Sequence, residues 1–264
     1  MSARAVGALL LAIAAAAGSV RAQAIPSPAT GLFDTGDWVL VGGLVTAQLI
    51  LMPLDDDVRD AAAEMRGATS DDIADILRPL GGRTELAALS AATWAMGRAI
   101  SSHRVADFGL HAFVSLALSN VVTGSLKVVT GRSRPLVLEA DGTWARRGPR
   151  AWDFLGGWGD DGARQSYPSG HATNAFALAT VFAEELGGPA GWIAYPVAAG
   201  VAWSRVNDEA HWASDVAMGA LVGIVSGQLV VRRGHRRGGW LERTFLEASP
   251  ALDRLDIGLA IPTP

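Results

Sequence analysis

Six apolar segments of helical length dominate this sequence and limit the folds that it can adopt. Small apolar residues are frequent in them, with few runs of β-branched residues and little strict alternation of polar and apolar positions. Such a pattern favours helices over strands. The segments cover residues 38–52, 86–100, 109–129, 172–185, 191–203 and 216–231. Because 264 residues suffice for one well-packed core, the sequence predicts an all-α protein with a single helical bundle domain.

Two stretches between these segments break the helical pattern. Residues 71–77 predict a short helix that ends before Pro79 and Gly81. Residues 132–167 are rich in glycine, arginine, aspartate and tryptophan and show no period. Loops of this length in a compact domain usually shape a functional site.

The two ends of the chain differ in character from its middle. Arg4 precedes an apolar run over residues 5–17, and Ala22-Gln23-Ala24 follows in the position of a cleavage site. This layout predicts a secretory signal peptide, with an uncleaved N-terminal anchor as the alternative. The predicted organisation is a signal peptide (1–24), an N-terminal helical extension (25–84), a core (85–232), and a basic segment with a C-terminal tail (233–264).

Composition excludes several kinds of site and partner. The sequence has no cysteine, which rules out disulfides, thiolate nucleophiles and cysteine-based metal sites. Its formal net charge of −4 argues against a general nucleic-acid-binding protein. Nothing in the sequence indicates an oligomeric state.

The first of three short blocks that carry candidate chemistry is Lys127-Val-Val-Thr-Gly-Arg-Ser-Arg134-Pro135. Lys127 should lie at the C-terminal end of a predicted helix, and Arg134 lies past Gly131, where Pro135 favours extended backbone. A cation from a helix end and one from a loop can converge on one anion, and the arginine fork suits phosphate. Taken alone, the block is more typical of solvated cations near a helix C-terminus.

The second block, Pro168-Ser169-Gly170-His171, opens the next predicted helix. Ser169 is a natural N-cap, and the amides of a helix N-terminus can face an anion. Gly170 allows close approach of the backbone to a ligand, and His171 would lie in the first turn. An ordinary capped helix with a surface histidine fits the four residues equally well.

The third block contains Ser204-Arg205 and then His211 and Asp215 at a spacing of four residues. That spacing places the imidazole and the carboxylate on one face of a helical turn. A carboxylate bonded to one ring nitrogen fixes the tautomer and leaves the other nitrogen free to act as a nucleophile. The pair is too small to hold a metal ion by itself. Asp215 could otherwise be a helix N-cap, and Arg205 a cation that satisfies a helix end.

In this order the three blocks read K-x6-RP, PSGH and SR-x5-H-x3-D without a substitution, and over residues 85–232 the chain resembles the type 2 phosphatidic acid phosphatase (PAP2) superfamily. That superfamily includes bacterial acid phosphatases, lipid phosphate phosphatases and vanadium haloperoxidases. The resemblance implies a helical bundle with the active site at one end of the helices. It also implies roles for eight residues. His211 would attack phosphorus, Asp215 would orient it, and His171 would protonate the leaving oxygen and then activate water. The phosphate oxygens would be bound by Lys127, Arg134, Ser169, Gly170 and Arg205.

The resemblance further implies a phosphatase that hydrolyses monoesters or pyrophosphates through a phosphohistidine intermediate, with no metal and no cofactor. The apolar surroundings favour a phosphorylated lipid as substrate, and a small phosphate ester acted on by a soluble acid phosphatase is the alternative. A haloperoxidase with vanadate as cofactor is less favoured, because members with that activity tend to be much longer. A non-enzymatic membrane or interaction protein is least favoured, because all eight signature positions are intact.

Residues other than the eight signature positions are predicted to stay outside the core of the chemistry. Three residues that flank the motifs could touch substrate, but a solvated loop is favoured for them: Arg132, Arg164 and Tyr167. Trp152 and Trp158 could line the mouth of a pocket, but anchoring of the long loop is favoured. The remaining histidines, His103, His111 and His235, are assigned no role, and Glu184 and Glu185 are expected to form a solvated helix end.

The length of the uncharged segments bears on the membrane. Residues 172–183 and 191–203 are shorter than the ~20 apolar residues that a span requires. We therefore predict an exported, periplasmic domain and leave membrane association open. An integral membrane enzyme is the alternative, supported by the uncharged residues 109–126 and the basic cluster 232–237.

Overall fold

Helices form most of the chain wherever its small apolar residues continue for several turns. The structure, a computed structural model, describes residues 35–139, 141–158, 162–187 and 189–236. The predicted signal peptide and nearly all of the C-terminal tail lie outside these ranges. The helices are α1 (Thr35–Leu51), α2 (Asp55–Met65), α3 (Ala68–Leu77), α4 (Arg83–Ala99), α5 (His103–Thr130), α6 (Gly170–Leu186), α7 (Ala190–Asn207) and α8 (Ala213–Arg236). The all-α prediction is confirmed.

The helix ends follow local chemistry more closely than the apolar pattern does. Helix α5 ends where Gly131 adopts a left-handed conformation (φ 51°) and donates its N–H to the carbonyl of Lys127. Helix α7 continues beyond the apolar segment 191–203 that predicted it, because no proline or glycine lies between Trp203 and Asp208. Arg205 therefore lies in the last turn of α7, whereas the apolar segment had placed it after the helix end.

Helices α6 and α8 form the centre of the bundle and approach each other along a row of glycines. A Cβ atom at Gly219 would lie 2.6 Å from the Ser169 carbonyl oxygen, and one at Gly223 would lie 2.4 Å from the Thr173 carbonyl oxygen. Gly227 meets α6 in the same way. Only glycine permits this approach, since any larger residue would collide with backbone atoms. The row fixes the two helices side by side, with α8 running from the start of α6 towards its end.

The remaining helices pack around this pair. Helices α4 and α5 form a close hairpin in which a Cβ at Gly97 would lie 2.2 Å from the Ala106 nitrogen, and one at Gly109 would lie 2.3 Å from the Trp94 nitrogen. Helix α5 also contacts α6 and α8, α1 contacts α8, and α3 contacts α7. The main core lies between α6, α7 and α8, with Leu44 and Leu51 of α1 packed against it.

The long connection from α5 to α6 is the one part of the described chain with strands. Strand β1 (Leu136–Leu138) pairs antiparallel with β2 (Trp144–Arg146), so that Val137 faces Ala145. The hairpin is tied to the turn before α8, because Leu136 donates its N–H to the Glu209 carbonyl oxygen at 3.2 Å. The loop thereby lies at the end of the bundle where α5 finishes and α6 and α8 begin.

Three described helical segments are long and apolar enough to cross a membrane, namely Thr35–Met65, His103–Thr130 and Ala213–His235. In the first two, most of the apolar window faces outward, whereas the third is largely buried inside the bundle. Large apolar side chains such as Val121 on α5 and Trp192 on α7 are exposed. The length, composition and exposure of these helices fit association with a membrane.

Candidate active site

The three sequence blocks meet at one end of the bundle. Lys127 lies in the last turn of α5, Ser169 is the N-cap of α6, and Asp215 lies in the first turn of α8. The Ser169 amide donates to the Asp215 carbonyl oxygen at 3.0 Å, which joins the second block to the third. His211 lies in the turn that precedes α8, and Arg134 lies in the loop after α5. The eight residues singled out in the sequence thus come from four helix ends and two connections.

His211 is held by a backbone carbonyl. Its Nδ1 lies 2.8 Å from the Ser166 carbonyl oxygen and 3.7 Å from Oδ2 of Asp215. A carbonyl can only accept, so Nδ1 must carry the proton, and the lone pair of a neutral ring is therefore on Nε2. The spacing to Asp215 had suggested that the carboxylate would fix the tautomer, but Ser166 makes the hydrogen bond. His211 also precedes the helix, so the predicted shared helical face is absent.

The Asp215 carboxylate is fully buried and already has several donors. Its Oδ1 accepts from Nη1 of Arg132 at 2.5 Å, and its Oδ2 accepts from the Ser166 hydroxyl and from the Trp212 amide at 2.9 Å. These bonds account for the longer distance to the His211 ring. At 3.7 Å the carboxylate still provides a negative charge next to any positive charge that develops on that ring.

Arg132 links Asp215 to a second buried carboxylate. Its Nη2 donates to Oδ2 of Asp55 at 2.6 Å, and Asp55 also accepts from the amide and hydroxyl of Ser214. The Arg132 guanidinium stacks over the Trp152 ring at 4.7 Å. Its side chain has 0% exposure, so the prediction of a solvated loop residue is wrong. No local pattern signals this network, because Asp55 is far away in the sequence and belongs to none of the three blocks.

Ser169 and Arg205, both phosphate-binding candidates, have a buried polar atom that lacks a hydrogen-bond partner in the described part of the chain. Ser169 is fully buried, and within the described chain its hydroxyl has no hydrogen-bond partner. The Nε of Arg205 is also buried and also lacks a hydrogen-bond partner there. Buried polar atoms of this kind usually find a partner, and oxyanion oxygens would supply it. A Cβ atom at Gly170 would meet nothing within 4 Å, so the space in front of the α6 N-terminus is open. Lys127 donates through Nζ to the Gln165 carbonyl.

A further cation, missed in the sequence, lies beside His171. Arg78, in the 3-10 turn before α4, donates through Nε to Oδ2 of Asp208 at 3.0 Å, and the same oxygen accepts from Nη1 of Arg205 at 2.8 Å. Burial and the positive charges of Arg205, Arg134, Arg78 and Lys127 lower the pKa of His171 to about 4.

The His211 ring is affected in the same way. Burial, together with the charges of Lys127 and Arg134, lowers the pKa of His211 to about 3 against the opposing charge of Asp215. Both imidazoles are therefore neutral near pH 7 in the free protein. The site as a whole combines fixed positive charge, an activated neutral imidazole and a second imidazole that can exchange a proton.

Comparison with known proteins agrees with this geometry. The family model described as the PAP2 superfamily matches residues 108–238, which contain all three blocks. The chain belongs to the PAP2 superfamily. The resemblance inferred from the motifs is thereby confirmed.

Two known proteins are similar to this PAP2 chain, one in sequence and one in fold. A protein of Porphyromonas gingivalis named lipid A 1-phosphatase is 48% identical over 73 residues, which cover 26% of this chain and only 16% of that protein. The crystal structure of Aquifex aeolicus LpxE shares 21% identity with a TM-score of 0.51, covering 68% of this chain and 95% of that one. The second likeness shows a shared fold.

The other residues considered in the sequence of this PAP2 protein have mixed outcomes. Arg164 is exposed and pairs with Asp153, as expected for a solvated loop. Tyr167 is buried, contrary to the prediction, and packs edge-on against Trp152, which anchors the loop as expected. Trp158 is 81% exposed and lines a cavity in the loop, so the alternative, a pocket lining, describes it better than an anchor does.

The prediction of a solvated helix end is wrong for Glu185. Its carboxylate is buried at the end of α6 and pairs with His111 and His235. His111 and His235, which the sequence analysis had assigned no role, thus form a cluster with Glu185. His103, the third such histidine, is exposed and lies outside this cluster.

A cavity of about 570 Å³ lies within the long loop of the PAP2 protein, beside the candidate site. Ser133 and Ala163 line it, and the two flank the Arg134 backbone, whose amide donates to the Ala163 carbonyl oxygen at 2.9 Å. Arg147, Trp152 and Arg164 complete much of the wall. The cavity adjoins the cationic site without including its imidazoles, so it offers room for a part of the substrate that does not react.

The donor set at the site fits an oxyanion better than a metal ion. Lys127, Arg134 and Arg205 are cations and would repel a metal, whereas phosphate or vanadate would fit the same arrangement of donors. In the described part of the chain, the group of three metal-ligating side chains lies elsewhere, at His111, Glu185 and His235.

Proposed function

We propose that this PAP2 protein is a metal-independent phosphatase that removes phosphate from a phosphorylated lipid through a phosphohistidine intermediate. The observation that carries the proposal is the hydrogen bond from Nδ1 of His211 to the Ser166 carbonyl oxygen. That bond leaves Nε2 unprotonated beside a cluster of three cations. A nucleophile and an oxyanion site are the two parts that phosphoryl transfer requires.

Binding places the phosphoryl group against the cations at the end of the bundle. Lys127, Arg134 and Arg205 neutralise its oxygens, and the Ser169 hydroxyl and Gly170 amide donate to it. The charge on the oxygens spreads over three equatorial positions in the transition state. Donors held by helix ends and by buried contacts are already oriented for that state.

In the first chemical step, Nε2 of His211 forms a bond to phosphorus while the bond from phosphorus to the ester oxygen breaks. His171 gives its proton to the departing oxygen, which leaves as an alcohol. The phosphorylated imidazole carries positive charge, and the Asp215 carboxylate at 3.7 Å stabilises it. Arg132 and Ser166 keep that carboxylate ionised and fixed.

In the second step, His171, now neutral, takes a proton from water, whose oxygen attacks phosphorus as the bond to Nε2 breaks. Phosphate leaves and His211 is restored. His171 must be protonated for the first step, although its pKa is about 4 in the free protein. A bound phosphate dianion offsets the four cations that lower this pKa, so the substrate itself prepares the general acid.

A phosphorylated lipid is the favoured substrate class. The P. gingivalis relative is named for action on lipid A, and helices of this chain are long and apolar enough to contact a membrane. The cavity beside Arg134 is polar enough to accept a headgroup, since Arg147 and Arg164 line it. We infer that the protein works at a membrane on the exported side, as the predicted signal peptide suggests.

The test is trapping of the phosphoenzyme. Full-length protein, purified in detergent with EDTA, is mixed with a phosphate-labelled lipid and quenched within one turnover. We expect an acid-labile, base-stable label on wild-type protein, none on His211→Ala, and a loss of turnover of about 10⁴-fold or more in that variant. His103→Ala, an exposed histidine, is the matched control and should retain both.

Turnover by His211→Ala near the wild-type rate would refute the assignment of the nucleophile. Activity that disappears with EDTA would refute metal independence. Preference for a soluble aryl phosphate over phosphorylated lipids would replace the lipid with a small ester, and activity only with added vanadate and peroxide would make the protein a haloperoxidase.

A further inference from the structure

A second cluster of titratable side chains lies at the opposite end of the bundle. His111 lies early in α5, Glu185 in the last turn of α6, and His235 near the end of α8. His111 precedes Lys127 by sixteen residues of continuous helix, which is about 24 Å at 1.5 Å per residue. The cluster is therefore separate from the phosphate-binding end, although the same three helices carry both.

The three side chains converge through the Glu185 carboxylate. Its Oε1 pairs with Nδ1 of His111, and its Oε2 lies 3.2 Å from Nε2 of His235. One ligand atom from each residue lies within 4.8 Å of the others. The two rings are 5.7 Å apart and inclined at 74°, so their nitrogens face the carboxylate from different directions.

The fold makes specific room for the buried ring. A Cβ atom at Gly234 would lie 2.1 Å from Nε2 of His111 and 2.7 Å from its Cε1. Any other residue at position 234 would displace the imidazole. The absence of a side chain at Gly234 therefore leaves the space that the His111 ring occupies.

A small apolar group is carried by the same three helices near the cluster. Ala112, Val181 and Val231 form it, with Phe108 packed against it. Ala112 follows His111 in sequence, and Val181 and Val231 each lie four residues, about one helical turn, before Glu185 and His235. Apolar surroundings of this kind limit water and strengthen electrostatic attraction at the site.

We propose that His111, Glu185 and His235 form a Zn²⁺ site that joins α5, α6 and α8 at the end of the bundle opposite the active site. Two imidazole nitrogens and one carboxylate oxygen are ligands that Zn²⁺ prefers, and three protein ligands leave one position for water. Zn–N distances of about 2.0–2.1 Å require donors roughly 3.3 Å apart. Rotation of the Glu185 carboxylate and of the exposed His235 ring brings the donors to that spacing.

The charge around the site suits a divalent cation. With neutral imidazoles the three ligands carry one negative charge, and Asp107, one turn before His111, adds a second near His235. The nearby Arg232 is paired with Asp37 and Glu184 and is thereby offset. Binding of the ion would hold three helix ends that otherwise meet through a single carboxylate. This role is independent of phosphate transfer.

The test is direct binding of Zn²⁺ to tag-free, full-length protein that has been treated with EDTA and dialysed in detergent. Titration calorimetry should show one equivalent, and the unfolding temperature should rise with Zn²⁺. We expect His235→Ala and Glu185→Gln to weaken affinity by about tenfold or more and to abolish the rise. His103→Ala is the matched control and should bind as wild type does.

His211→Ala separates this site from the active-site imidazoles and should keep the full affinity. Absence of saturable binding of Zn²⁺, Co²⁺ or Ni²⁺ would overturn the proposal and leave the cluster a hydrogen-bonded link between helices. Unchanged binding by His235→Ala would overturn it as well. Because His235 is exposed, its removal should leave the fold intact, and because binding is read directly, the result does not depend on phosphatase activity.

Discussion

Replacing Arg132 with methionine tests whether the buried network supports the candidate nucleophile. The guanidinium lies between two carboxylates, and the side chains of Arg132, Asp55 and Asp215 all have 0% exposure. Arg132→Met keeps much of the volume but leaves both carboxylates without their shared cation. Breaking a buried pair by removing one partner lowers the free energy of unfolding by about 3–5 kcal/mol. We expect a loss in that range.

The measurement is chemical denaturation of the full-length protein in one detergent, compared across a double-mutant cycle. Asp55→Asn removes one of the two charges that Arg132→Met leaves unpaired and keeps the acceptor for Ser214. The double variant should therefore lose about 1–3 kcal/mol less than the sum of the single losses. Arg164→Met, at an exposed arginine of the same loop paired with Asp153, is the control and should change stability by no more than about 0.5 kcal/mol.

Two results would refute the reasoning. A loss below about 1 kcal/mol in Arg132→Met would mean that water or a proton replaces the guanidinium at little cost. Additive losses in the double variant would mean that Arg132 and Asp55 act independently, against the 2.6 Å contact between them.

Three further perturbations follow from the packing and the site. Gly223→Ala should lower the free energy of unfolding by about 1–3 kcal/mol, because its Cβ would lie 2.4 Å from a backbone oxygen of α6. Gly124→Ala is the control and should not lower it, because a Cβ there would meet nothing within 4 Å. Equal losses of stability in chemical denaturation would contradict the close approach. Ser169→Ala should lower kcat/KM about tenfold or more by removing a donor to a charged oxygen, while its unfolding temperature stays unchanged; steady-state kinetics with no loss would exclude the hydroxyl from the site. His171 must be protonated to act as the acid, so kcat/KM should fall as pH rises through the pKa of His171 in the free protein, about 4. The fall in kcat should occur at higher pH, because bound phosphate raises the pKa of His171. Coincident pH profiles of kcat and kcat/KM would rule out this coupling.

Local pattern was sufficient to predict the helices, and the residues that the motifs single out do lie near one another, but the residues that support them could not be predicted. The apolar segments predicted the positions of α6 and α8 in the sequence. Because the motifs lie at helix ends, they predicted that Lys127, Ser169 and Asp215 would meet at one end of the bundle. The partner of His211 is a backbone carbonyl, and a carbonyl has no sequence signature. Arg132 looked like a solvated loop residue, because its charge partner Asp55 comes from a helix far away in the sequence.

The same limit applies at the other end of the bundle. Glu185 looked like the polar end of a helix, since its sequence neighbours contain no histidine. The two histidines that approach it come from α5 and α8, and contacts of that kind depend on how helices pack. Helix boundaries also differ from the apolar segments that predicted them. Helix α7 extends to Asn207 and includes Arg205, because no proline or glycine follows its apolar segment at once.

The link from Asp55 through Arg132 to Asp215 sets a condition on how this protein can be recombined with its relatives. The segment that matches the family begins at residue 108, well after Asp55. A chimera that exchanged sequence at that point would inherit the whole catalytic segment and a buried guanidinium, but not the carboxylate that completes its surroundings. We therefore expect a functional chimera to keep Asp55 together with Arg132, and a substitution at position 55 to require a matching change at 132.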